Sequence, residues 1–164
     1  MKPQYIFLDV DGTLLYHTSN SNNIIPPLAI TAIQSARQNQ HKVFICTGRV
    51  RSEITDSIKN IGFDGFIYAA GATVEINGKT IFQHNIPISE LEHFKNIASN
   101  HKLGFVLQSA DFNFMDKQGA SFFDNFDCKR EKSSEFSHLT RNNFTDMSNF
   151  NFGQCPIGKI LFFS

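Results

Sequence analysis

Short apolar runs separated by helical stripes organise the first half of the chain. Tyr5-Ile6-Phe7-Leu8 is continuously apolar, as in a strand buried on both faces of a parallel sheet. A polar loop at 18–23 follows it. Pro26-Pro27 then opens a stripe of Leu28, Ala29, Ala32, Ile33 and Ala36, which repeats at the helical period. Val43-Phe44-Ile45-Cys46 predicts a second buried strand, with Cys46 as a small core residue. Ile54, Ile58 and Ile61 predict a second helix closed by Gly62, and 66–70 predicts a third strand. Strand alternating with helix implies right-handed crossovers and an α/β, Rossmann-like parallel sheet.

The period changes after Gly71. Thr73-Val74-Glu75-Ile76 and Lys79-Thr80-Ile81-Phe82 flank Asn77-Gly78, the pair that a type I′ turn favours, and so predict a hairpin. Ser89 and Glu92 have capping-box spacing at the head of a stripe of Leu91, Phe94, Ile97 and Ala98. Phe105-Val106-Leu107 and 112–115 read as paired strands around Ser109-Ala110-Asp111. Residues 116–156 hold no sustained period, and the sequence stops on the strand-like run Ile160-Leu161-Phe162-Phe163. These shifts divide the chain into 1–82 and 83–164. Twelve of the 18 phenylalanines lie beyond residue 100, in a half whose basic and acidic side chains balance. They therefore predict an aromatic-filled α+β module and not a platform for stacking bases.

Charge narrows the partners. Fifteen basic and 15 acidic side chains leave no net charge, hence no electrostatic footprint for nucleic acid or an anionic membrane. Cys46, Cys128 and Cys155 form no C-x-x-C pair, which argues against a disulfide framework or a zinc knuckle. No run approaches the ~18 apolar residues of a membrane span, and Met1-Lys2-Pro3-Gln4 opens no signal peptide. A cytoplasmic protein is expected. The histidines (17, 41, 84, 93, 101 and 138) lack metal-ligand spacing, and Cys128-Lys129-Arg130-Glu131-Lys132 reads as a solvated face.

The sharpest chemical signal is Asp9-Val10-Asp11-Gly12-Thr13-Leu14-Leu15, directly after the first apolar run. Strand alternation places Asp9 and Asp11 on one side at the carboxyl end, where open parallel sheets bind ligands. Two carboxylates leaving an apolar strand need a partner, and a divalent cation with oxygen ligands supplies one. Gly12 allows close backbone approach, with free amides for an anion. Thr47-Gly48-Arg49 follows the second strand in the same way. Its hydroxyl, glycine backbone and guanidinium form a candidate phosphate cradle at a helix mouth.

Together these two segments resemble the first two signatures of the haloacid-dehalogenase-like superfamily. The short spacing between Asp11 and Thr47 leaves no room for an inserted domain, and Gly71-Ala72 with the Asn77-Gly78 hairpin is similar to the entrance of the α/β cap of the Cof-like group. The resemblance implies a phosphatase of small phosphomonoesters, such as sugar phosphates, so a small phosphorylated metabolite is the expected partner. Asp9 would be the nucleophile, forming an aspartyl-phosphate, and Asp11 the acid and base, its pKa raised by the neighbouring carboxylate and bound phosphate. Mg²⁺ would be held by the Asp9 side chain and the Asp11 carbonyl. Gly12, Thr47 and Gly48 would hold phosphate, and Arg49 would contact substrate or cap its helix.

The chain also departs from the family pattern. The family places a charge-balancing lysine and a distal acidic pair after the cap, but this sequence contains no Gly-Asp or Asp-Asp, and its last aspartate is Asp146. Lys159 is set aside for the lysine role, because the run after it resembles a cap strand and no acidic pair follows. Ala70 stands where members often carry asparagine. The resemblance thus implies the first half of a phosphatase core with most of a cap. A non-catalytic fragment that binds phosphate or a partner, and a phosphomutase-type relative, remain the rival readings.

Overall fold

The computed structural model describes residues 2–17, 23–129, 144–147, 150, 153 and 155–164. β1 (Tyr5–Leu8) passes through a tight turn into a small ribbon of β2 (Tyr16–His17) and β3 (Asn23–Ile24). α1 (Pro27–Gln38) starts on a proline, whose fixed φ suits the first turn and whose missing N–H would have had no partner there. β4 (Lys42–Cys46) then runs parallel to β1, with Leu8 opposite Ile45. After the one-turn α2 (Asp56–Lys59), β5 (Gly65–Tyr68) adds parallel to β4. β6 (Thr73–Ile76) and β7 (Lys79–Gln83) complete the sheet antiparallel, in the order β1-β4-β5-β6-β7. Asn77 and Gly78 both take positive φ (50° and 73°), as the expected type I′ hairpin requires.

A second sheet follows α3 (Ile88–His101). β8 (Gly104–Gln108) and β9 (Asn113–Met115) form the expected antiparallel pair. α4 (Lys117–Lys129) and β10 (Phe144–Asp146) come from the stretch without a sequence period, and β10 lies parallel to β9. β11 (Lys159–Phe163) pairs antiparallel with β8, giving the order β10-β9-β8-β11. Each sheet has its own core. Val10, Ile33, Val43, Ile45, Ile54 and Ile58 centre the first, and Leu91, Ala98, Phe105, Leu107, Phe114 and Ile157 the second. Among the described residues no helix is long and apolar enough to cross a membrane.

Five local expectations are corrected. Tyr5 and Phe7 are exposed on one face of β1, while Ile6 and Leu8 on the other face pack against the core, so only one face of the strand is partly covered. Leu28 is also exposed, and Ile30 takes its place against the core beside Ile33. The predicted helix at 54–61 is broken: a 3-10 turn at Arg51–Glu53 ends on extended Ile54, and Thr55 restarts the chain into α2. Its three isoleucines are nonetheless buried, so the apolar stripe was right and its continuity was not. Ser89 caps nothing, because Pro87 occupies the N-cap of α3. Cys46 is exposed at the end of β4. His138, residues 18–22 of the polar loop and residues 130–132 of the charged run lie outside the described residues.

Candidate active site

Two turns at neighbouring strand ends build the site. Asp9 follows the last residue of β1, exposed, with no hydrogen bond or ion pair among the described residues. Val10 then drops into the core, and its carbonyl accepts the N–H groups of Leu14 (3.0 Å) and Leu15 (2.8 Å), closing the loop. Gly12 holds φ +73°, a conformation that strains other residues. Asp11 and Leu15 bridge across the loop, and the Thr13 amide donates to no acceptor among the described residues, so it can serve an anion.

The Thr47-Gly48-Arg49 turn continues β4. Thr47 donates its N–H to the Ile67 carbonyl (2.9 Å), while Ala70 and Ala69 donate to the Thr47 and Arg49 carbonyls (3.0 and 2.8 Å). Thr47 is buried, and its Oγ1 accepts the Arg49 N–H at 3.2 Å, which leaves its own proton to donate. Ala69 and Ala70 adopt φ +51° and +55°, a left-handed conformation that costs roughly 1–2 kcal/mol per non-glycine residue. Backbone strain is thus stored beside the threonine turn. The expected helix mouth is absent: the 3-10 turn intervenes, and α2 starts only at Asp56.

Arg49 joins the two turns. Its Nε donates to Asp11 Oδ2 at 2.9 Å and its Nη2 to Asp11 Oδ1, a two-pronged ion pair across 38 residues. Nη1 donates to the Glu53 carbonyl at 3.1 Å, and Arg49 is only 3% exposed. It therefore clamps Asp11 and also holds the end carbonyl of the 3-10 turn at Arg51–Glu53. Asp11 in turn faces a guanidinium, where the sequence reading placed it beside a carboxylate.

A buried polar row beside this turn was not foreseen. Glu53 accepts hydrogen bonds from Val50 N–H (3.0 Å), Gln108 Nε2 (2.8 Å) and Asn113 Nδ2 (3.0 Å). Burial pushes its carboxyl above the usual value, against the pull of those Val50 and Asn113 bonds. Lys159 stands on a strand of the second sheet, yet its Nζ donates to the Gly48 carbonyl at 2.7 Å. Burial pushes its amine below the usual value, with the Glu53 charge opposing. The available signal was polarity at 108 and 113, where two apolar strands are interrupted.

No cluster of three or more acidic, histidine or cysteine ligands occurs among the described residues. The exposed Asp9 carboxylate, without a partner among the described residues, nevertheless fits a Mg²⁺ site of one carboxylate, a main-chain oxygen, water and substrate phosphate.

A family model for haloacid dehalogenase-like hydrolases matches residues 6–164. Over 111 residues the chain is 25% identical to YkrA of Bacillus subtilis (strain 168), covering 68% of this chain and 42% of that protein. The solved structure of a haloacid dehalogenase-like hydrolase from B. subtilis superposes with a TM-score of 0.74 at 16% identity, covering 98% of this chain and 61% of the other. That of the subclass IIB sugar phosphatase BT4131 superposes with a TM-score of 0.64 at 19% identity, covering 90% and 54%. The structural likenesses carry the fold, and the chain spans about half the length of these relatives.

Proposed function

The chain belongs to the haloacid dehalogenase-like hydrolase family, and we propose from that premise that the protein is a Mg²⁺-dependent phosphatase of small phosphomonoesters. The observation that carries this reading is the Asp11–Arg49 ion pair, which fastens the aspartate turn to the threonine turn. Asp9 attacks phosphorus, and the bond to the ester oxygen breaks. Asp11 protonates the departing alkoxide, leaving a phosphoryl group on Asp9. Asp11 then takes a proton from water, whose oxygen attacks the same phosphorus. The Asp9–phosphorus bond breaks, and inorganic phosphate is released. The clamp on Asp11 suits the base step directly, and the acid step requires the guanidinium to turn toward incoming phosphate.

Thr47 Oγ1 and the Gly12, Thr13 and Gly48 amides hold phosphoryl oxygens in this reading. Mg²⁺ held by the Asp9 carboxylate and the Asp11 main-chain oxygen would supply positive charge against those oxygens. The sugar phosphatase among the structural neighbours favours a hydroxylated substrate. Release of phosphate from 4-nitrophenyl phosphate by the intact protein, with and without Mg²⁺, tests the reading. Turnover that stops on chelation supports it. Phosphate binding without turnover would leave the protein a non-catalytic binder.

A further inference from the structure

The first sheet commits its cations near the site. Arg49 pairs with Asp11 and the Glu53 carbonyl and in the mechanism above turns only to the phosphoryl group, and Arg51 is directed at Glu75, Thr80 and Asp111. Lys159 differs. It lies opposite Gln108 across the β11–β8 pair, and Gln108 lies opposite Asn113 across β8–β9, so the three side chains share one face of the second sheet. Glu53 anchors the row from the 3-10 turn beyond β4 by accepting from both amides. The Lys159 ammonium has three N–H bonds and gives one, to the Gly48 carbonyl; the other two meet no acceptor among the described residues.

We propose that Lys159 reads the leaving group of the phosphate ester and selects one that bears an acceptor oxygen, a hydroxyl or a carboxylate, close to the phosphorylated carbon. The proposal rests on the phosphatase reading above and adds the substrate class. Backbone geometry separates this role from a contact with the transferred phosphoryl group. A trans peptide sends the Gly48 carbonyl and the Arg49 N–H to opposite sides. The N–H meets Thr47 Oγ1 and the carbonyl meets Lys159 Nζ, so the hydroxyl and the ammonium lie on opposite sides of that peptide. Standard backbone dimensions put them no more than about 8 Å apart. A phosphoryl group held at Thr47 leaves Lys159 to atoms beyond the bridging oxygen, within reach of a substituent one or two carbons away. Two N–H bonds in a partly buried wall reject a leaving group that cannot accept them.

Steady-state kinetics of the intact protein with Mg²⁺ test this on glycerol 2-phosphate, 2-phosphoglycolate and 4-nitrophenyl phosphate. Lys159→Met keeps the aliphatic stem, and thermal unfolding checks that it folds. It is expected to lose at least tenfold more kcat/KM on one of the oxygen-bearing esters than on the aryl ester, chiefly through KM. Lys159→Arg should restore part of the loss. The ester that suffers identifies a hydroxyl or a carboxylate. Equal losses on all three esters, or no loss, would overturn the proposal. If the wild type turns over none of them, the phosphatase reading fails separately, and calorimetric binding decides about Lys159. Lys159→Met must then weaken binding of an ester more than that of inorganic phosphate; equal weakening, or no ester binding by the wild type, overturns the proposal.

Discussion

The two sheets contribute to the site in opposite ways. The first sheet supplies turns: Asp9, Gly12, Thr47 and Gly48 are placed by main-chain hydrogen bonds and by φ values set within a few residues. The second sheet supplies side chains: Gln108, Asn113 and Lys159 are placed by strand register and meet partners 55, 60 and 111 residues away. A turn of fixed shape suits chemistry common to every phosphate ester. A row of side chains can change without disturbing that turn, which suits selection among esters. Glu53 is the joint between them, a carboxylate on the 3-10 turn beyond β4 that accepts from amides on the second sheet.

The largest effect expected from breaking this division falls on the turns. Asp9→Asn should lower kcat by at least about a thousandfold, because no other described group replaces the nucleophile, while the fold is retained by circular dichroism. Glu53→Ala should instead act on stability. It strips acceptors from the buried Gln108 and Asn113 amides and from Val50 N–H, at a cost of about 2–4 kcal/mol in urea unfolding. Glu53→Gln should cost less, since one acceptor oxygen survives.

The same joint gives a pH test. Burial raises the Glu53 carboxyl above 4.5, so the folded state takes up a proton at higher pH than the unfolded state. The stability of the wild type relative to Glu53→Gln should therefore fall as pH rises from about 4.5 through the raised value, and should be level below it. A difference that rises with pH across that window would contradict the buried placement of Glu53. The smallest effect belongs to the strained turn. Ala70 is exposed at φ +55°, and Ala70→Gly should stabilise the fold by about 1 kcal/mol in the same unfolding assay.

How far the sequence revealed the molecule follows the same division. Asp9-Val10-Asp11-Gly12 and Asn77-Gly78 were legible because a turn writes its requirements into adjacent residues. The strands around them were legible from apolar runs, which also identified the α/β class. Burial of single residues was less so: Cys46 and Leu28 continue apolar patterns yet are exposed. The stripe Ile54, Ile58, Ile61 reported depth but not continuity, because the Glu53 carboxylate bonds back to Val50 N–H and the chain then extends at Ile54. The Arg49 clamp and the Lys159 contact needed the fold. A lysine heading an apolar strand reads as an ordinary sheet residue until register and the neighbouring turn are known.

The central claim is that Asp9 carries the phosphoryl group during turnover. The direct measurement is mass spectrometry of peptides from the intact protein, quenched in acid during reaction with 4-nitrophenyl phosphate and Mg²⁺. One phosphoryl group on the peptide containing Asp9, absent from Asp9→Asn, is the predicted result. Turnover that persists in Asp9→Asn, or a phosphoryl group carried on another residue, would contradict the account.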